Sequence, residues 1–302
     1  ISLEDEIKAT DVLLKSGAGI FEINAIRRHI SQMNGGMMAK RIRAKGAQLI
    51  GVAINDAVGY PPTGDIAVPD PAYHSTPIGP DSTRQVIRDY DLTERLPQNV
   101  VEYLMNAGPE GETPKEFPEN TYFVLNNVPD SCIYAKQVAE KMGIPAIILT
   151  TSLEGESKDA GTVFAAIARE IQEYGNPVQA PCIVLSAGET TTQILDNKLI
   201  AGHGGPSQEL TVGFAIAAAN CPGACMLSID SEGTDGTTPV AGGITDSQSL
   251  AAAIQKGHDL HAALRGHAAY EALSGIGDVV FTGNTGTNVC DFNVLYVPAR
   301  KA

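Results

Sequence analysis

Ile20, Ile23, Ile26 and Ile30 recur at helical spacing, and Glu22, Asn24, Arg27, Arg28, His29 and Ser31 crowd in among them. One face of the predicted helix is therefore apolar and the other dense in donors and acceptors, and a double glycine at Gly35-Gly36 closes the segment. A solvated face ending in a glycine C-cap and a ligand-binding face both fit that pattern. Upstream, Ser2–Ser16 reads as a helix with Ser2 as N-cap and Glu4, Asp5 and Glu6 near the positive end of its dipole. Ala47–Ile54 reads as a buried strand ending at Asn55-Asp56. From Gly59 to Pro80 the chain is proline-rich without helical period, which predicts a long irregular loop of the kind that serves as a lid. Val86–Asp91 and Asn99–Asn106 are short helix candidates, and Pro109–Glu119, rich in Pro, Gly and Glu, marks a boundary between two domains.

Beyond it Tyr122–Asn126, Ser131–Met142 and Ala146–Thr150 alternate strand, helix, strand, an order that predicts a parallel sheet. Asp159–Tyr174 and Gln208–Asn220 have amphipathic patterns, and Ser247–Leu273 reads as helical with a break near Gly257. Three apolar runs, Cys182–Leu185, Cys225–Ile229 and Val279–Thr282, read as strands, each beside a glycine-rich segment. Those segments are Leu185–Thr192 with Gly202–Glu209, then Glu232–Gly243, then Thr282–Val289. Glycines at strand ends let the backbone approach a ligand and offer bare N–H groups to an anion. Three such loops carrying carboxylates in one chain point to a site.

Asp56 stands just past a strand, where α/β proteins place groups that bind metal or accept a proton, although an Asx-turn explains it equally well. Glu189 and Asp235 sit in glycine-rich turns, where a carboxylate either anchors a metal or accepts backbone N–H bonds. His203 lies inside a glycine loop, and His267 in the late helical stretch. His258 and His261 share a helix with Lys256 and Asp259, which reads as an exposed face.

A length of 302 residues allows roughly two domains. The net charge of −14 argues against a nucleic-acid partner or an anionic membrane surface, because phosphate binding needs clustered Lys and Arg. No apolar stretch reaches membrane-spanning length, and the first residues do not read as a signal peptide. Most of the five cysteines, Cys132, Cys182, Cys221, Cys225 and Cys290, sit in or beside apolar runs, so reduced thiols and a cytoplasmic setting are expected.

Together, Ser16–Asn24 (S-G-A-G-I-F-E-I-N), the A-G-E-T-T block at Ala187, Asp235–Thr238 with Ala241–Gly243, and T-G-T-N-V at Thr285 resemble the glycerate 2-kinase family that carries the MOFRL domain, also called hydroxypyruvate reductase. The likeness runs from about Ser2 to Val297. It implies two α/β domains around a cleft, here 1–118 as the remainder of the first, Rossmann-like domain and 119–302 as the second. It further implies phosphoryl transfer from ATP to a small hydroxy acid with a divalent metal, Mg by expectation. Asp56, Glu189, His203 and Asp235 are the expected catalytic residues, and Asp56, Glu189 and Asp235 the expected metal ligands. Asn24, Arg27, Ser31, Gly35, Gly36, Thr190, Gly204, Gly205, Gln208, Thr285 and Asn288 are expected to touch substrate or nucleotide.

Departures from the family pattern bear on that reading. Asn34 stands for the family's lysine, Asn55-Asp56-Ala57 for its serine-aspartate-valine, Tyr60 for a second acid, Pro206-Ser207 for arginine-asparagine and His267-Ala268 for asparagine-aspartate. Losing cations weakens stabilisation of a phosphoryl transition state. Two alternatives follow, a different and hydrolytic reaction on an amide or cyclic imide, and a non-catalytic subunit. Family members also begin upstream of Ile1, so a second polypeptide, either a separate subunit or a cleaved fragment, is expected to complete the first domain in an oligomer. Nicotinamide chemistry is least favoured, for no G-x-G-x-x-G follows a strand.

Overall fold

The protein is described by a computed structural model over residues 1–58, 80–108, 111–114, 121–194, 198 and 200–299. The expected lid at 59–79 and much of the expected boundary at 109–119 lie outside the described residues. The fold is mixed α/β and divides into two compact units, which among the described residues take in 1–53 with 80–124, and 54–58 with 125–299.

Among the described residues the helices of the first unit are α1 (Leu3–Leu14), α2 (Ile20–Ile30), α3 (Met37–Ala44), α4 (Pro80–Asp89) and α5 (Gln98–Asn106). Ser2 caps α1 by accepting from the Asp5 N–H, as its position suggested. The isoleucine stripe of α2 packs Ile23, Ile26 and Ile30 against Leu13, Ile87, Val100 and Leu104 in one apolar cluster. The polar side of α2 differs from a solvated face, since Arg28, His29 and Ser31 are all buried. The double glycine does not end α2 either. Ser31 is its C-cap, and Gly36, at φ 83, starts the unexpected helix α3.

Strand β1 (Ile50–Asn55) pairs with β2 (Thr121–Asn127) in a two-stranded sheet. There follow α6 (Val128–Lys141), β3 (Ala146–Leu153), α7 (Ser157–Tyr174), β4 (Cys182–Gly188), α8 (Pro206–Ala217), β5 (Cys225–Asp230), β6 (Gly242–Asp246), α9 (Ser249–Gln255), α10 (Leu260–Arg265), α11 (Ala269–Ile276), β7 (Val279–Val280) and β8 (Asp291–Val297). The late helical stretch is thus three short helices, broken near Gly257 as expected and again at Gly266.

The six-stranded sheet runs β3-β4-β8-β5-β6-β7. The strand–helix–strand run expected to form a parallel sheet instead places β2 and β3 in separate sheets; β3 is parallel to β4, while β8 enters between β4 and β5 antiparallel to both, and β6 and β7 are antiparallel too. The pairing sets Val184 beside Leu295, and Leu295 beside Met226. On these residues pack Phe164 of α7 and Leu210 and Phe214 of α8. Two steps along, the register pairs Ser186 and Ser228 with Asn293, and two steps further Gly188 and Asp230 with Asp291. Because side chains alternate with period two, one sheet face passes from aliphatic to neutral polar to carboxylate as the strands reach the site.

Candidate active site

At that end of the sheet a small cavity of about 110 Å³ is lined by Asp56, Glu189, Thr190, Pro206, Asp230, Asp235, Gly236, Asn288, Cys290 and Asp291. Five carboxylates from distant parts of the sequence meet here, and among the described residues no Lys or Arg lines the cavity. Local geometry brings each one in. The Asn55 side chain accepts from the Ala57 N–H, so the Asx-turn belongs to Asn55 and leaves the Asp56 carboxylate to the cavity. The Cys290 thiol donates to the Asp56 carbonyl at 2.7 Å, tying this turn to the start of β8. Glu189 follows β4 directly, and its N–H donates to Leu153 O.

Asp235 is held differently. It is buried at 1% exposure, and its oxygens accept from Ser207 N (3.2 Å), Gln208 N and Gln208 Nε2 (both 2.8 Å). The two backbone donors, Ser207 N and Gln208 N, are open N–H groups at the start of α8, so Asp235 caps that helix and complements its dipole. Asp291 accepts from Ser207 Oγ at 3.3 Å and from Thr190 N at 3.4 Å.

The electrostatics follow from packing like charges in a confined space. Burial, then the charges of Asp235 and Asp230, pushes Asp291 up to about 8. Burial raises Asp235 to about 6 against the opposing hydrogen bonds of Gln208 and Ser207. Desolvation, then Asp56, Asp230 and Glu154, raises Glu189. Desolvation also raises Asp230. A strongly perturbed group in a cleft marks a candidate functional site; Asp235 and Asp291 are two such groups here, beside Glu189 and Asp230, which are also raised.

Of the residues expected to act, Asp56, Glu189, Thr190, Asp235 and Asn288 line the cavity together. Gln208 is fully buried against Asp235 and Thr238. Thr285 donates to Ser231 O and orders its loop. His203 is not a lining residue. It is exposed, with Nδ1 2.8 Å from Glu271 Oε1. Gly204 and Gly205 run beside the Asp235 turn. Asn24, Arg27, Ser31, Gly35 and Gly36 belong to the first unit. There Asn24 accepts from Arg27 at 3.1 Å, and the Ser31 hydroxyl accepts from Met33 N and Asn34 N, ordering the turn into α3.

Asp230 and Asp291 were not among the expected site residues. For Asp230 the signal was available: it ends a strand-like run, the reasoning that singled out Asp56, whereas Asp291 begins β8 and that reasoning does not reach it.

The sequence and fold also match known proteins. Residues 182–291 match the MOFRL family and residues 1–105 a domain of unknown function (DUF4147). Glycerate 2-kinase of Pyrococcus horikoshii is 37% identical over the whole of this chain and 67% of its own. D-glycerate 2-kinase of Thermotoga maritima is 33% identical over 96% of this chain and 66% of its own. The crystal structure of the Thermotoga maritima glycerate kinase superposes with a TM-score of 0.83 at 32% identity, over 98% of this chain and 68% of that one. The chain thus spans about two thirds of the length of the curated relatives it matches.

Proposed function

The chain belongs to the glycerate 2-kinase family that carries the MOFRL domain, and on that premise we propose that it is a phosphotransferase moving the γ-phosphoryl group of ATP to a hydroxyl of glycerate or a similar small hydroxy acid. The observation that carries this reading is the five-carboxylate cavity, with no cationic side chain among the described residues lining it. Transferring a phosphoryl group requires positive charge against its equatorial oxygens, and these side chains do not supply it. A divalent cation of the Mg²⁺ type fits the donor set, which is hard oxygen throughout. Among the described residues no three acidic, His or Cys side chains stand together at ligating distance, so the fit is to an ion held by one or two carboxylates and water. Asp56 and Glu189 would hold it. Asp235, whose oxygens cap α8, would order the site instead. Bound there, such an ion neutralises phosphate charge. Asp56 stands ready to accept the proton of the attacking hydroxyl while the new O–P bond forms and the bond to the departing ADP breaks.

ATP-dependent phosphorylation of D-glycerate tests the assignment, with amides and cyclic imides assayed without ATP alongside. Turnover of glycerate supports it. Hydrolysis of an imide without ATP would replace it with the hydrolytic reading.

We propose further that another polypeptide covers the β1–β2 sheet. Ile50 (65%), Val52 (60%) and Ile54 (42%) of β1 alternate in exposure, as Phe123 (52%) and Leu125 (63%) do on β2. A two-stranded sheet with such side chains in water is a site of association. The 302-residue chain alone is expected to bind an apolar dye and to self-associate in sedimentation, and Val52→Lys with Phe123→Lys to diminish both. A monodisperse wild-type monomer without dye binding would remove this proposal.

A further inference from the structure

Outside the carboxylate cavity, the buried Glu209 pairs with the partly buried His267. Glu209 lies in the first turn of α8 at 1% exposure, and His267 Nδ1 stands 2.9 Å from its Oε1. The other oxygen, Oε2, has no hydrogen-bond partner among the described residues. His267 is one of three non-glycine residues with positive φ among those described, at 51°. A left-handed histidine costs backbone energy and persists where its surroundings fix it.

The pair sits where two segments are bound together. Ala201 N donates to Gly266 O at 2.7 Å, Tyr270 N to His203 O at 2.9 Å, and His203 N to the Glu271 carboxylate at 3.0 and 3.1 Å. The loop of residues 201–205 is thereby fastened to the α10–α11 link that carries His267. On its other side this loop presses on the cavity wall. A Cβ on Gly205 would collide with Asp235 Oδ1, and one on Gly236 with Gly204 O. Pro206, Asp235 and Gly236 all line the cavity. A displacement of the loop must therefore displace one wall of the site.

We propose that Glu209 and His267 are positioning residues for the reaction, pulling the start of α8 and its preceding glycine loop against the α10–α11 link so that the Asp235 turn keeps its place in the carboxylate cavity. The proposal rests on the phosphotransferase reading for its catalytic consequence, but not for its structural one. The side chains act through the loop and touch no substrate.

Glu209→Met and Glu209→Gln separate the clamp from the stability of the fold. Met fills the same space without an acceptor, and because losing one partner of such a pair is itself destabilising, thermal unfolding and the exchange of α7 are read alongside to show that the fold persists. Gln keeps an oxygen for the His267 N–H. Hydrogen exchange read by mass spectrometry is expected to accelerate about tenfold in E209M over 201–209 and 233–238, with 160–171 of α7 unchanged, and to stay near wild type in E209Q. His267→Gly, which suits the left-handed backbone and carries no donor, is expected to match E209M. In turnover, E209M should lower kcat about tenfold with little change in KM, and E209Q should restore it. Unchanged exchange in E209M would overturn the clamp whatever the substrate proves to be. Faster exchange with kcat and KM at wild-type values, in an enzyme that phosphorylates glycerate, would overturn its catalytic part alone. Absence of turnover in the wild type beside local loosening in E209M would count against the phosphotransferase reading and for the clamp.

Discussion

Asp56→Asn is expected to reduce phosphoryl transfer on the order of 10³-fold while leaving the thermal midpoint nearly unchanged. The asymmetry follows from how the residue is held. The turn is fixed by backbone and neighbours: the Asn55 carboxamide accepts from Ala57 N, the Cys290 thiol donates to the Asp56 carbonyl, and Val58 packs beside Leu185 and Ala187. None of these contacts uses the Asp56 carboxylate. An amide keeps the shape and removes both the charge offered to a cation and the acceptor for a hydroxyl proton. Glu189→Gln should behave similarly, since Glu189 holds its place through a backbone bond to Leu153. Asp235→Asn should not. Its carboxylate accepts three bonds at the start of α8, so its loss should lower stability and activity together. Steady-state kinetics beside thermal unfolding distinguishes these cases. Full activity in D56N would remove Asp56 from the chemistry.

Asp291→Asn is expected to stabilise the protein at pH 8.5 by about 2–4 kcal/mol and to change little at pH 4.5. Burial beside Asp235 and Asp230 raises the Asp291 carboxyl from 3.8 to about 8 in the folded state. Between those values the folded chain retains a proton that the unfolded chain has released. Stability therefore falls as pH rises through that window, and above about 8 the buried charge is carried at full cost. The amide never carries it. Urea unfolding at the two pH values reads the difference. A divalent cation should likewise stabilise the wild type more at pH 8.5 than at pH 4.5, because it binds the ionised cavity. Equal stability of D291N and wild type at both pH values would show that Asp291 ionises without penalty.

Much of this fold was legible because local signals agreed. The α2 isoleucines, the Ser2 cap with its acidic first turn, and the apolar runs that became β4 and β5 each carry their structure in neighbouring residues. What was not legible depended on distant partners. The run D-F-N-V-L-Y-V of β8 alternates in burial, but its insertion between β4 and β5 is decided by pairings some hundred residues away. The double glycine at 35–36 was ambiguous because glycine suits both ends of a helix, and here it starts α3. The carboxylates were legible singly, and their convergence was not. Asp230 and Asp291 join the site only because β5 and β8 pair in a register that sets them side by side. Asp235 shows the reverse: its glycine-rich turn read as a ligand site, and its oxygens largely serve a helix terminus.

Anomalous diffraction from crystals equilibrated with Mn²⁺ at pH 8 tests most directly whether the five carboxylates form one cation-dependent site. A single strong peak within ligating distance of Asp56 and Glu189, lost in D56N, is the result this account predicts. Full Mn²⁺-dependent turnover of glycerate with no density in the cavity, or with the ion held elsewhere, would contradict it.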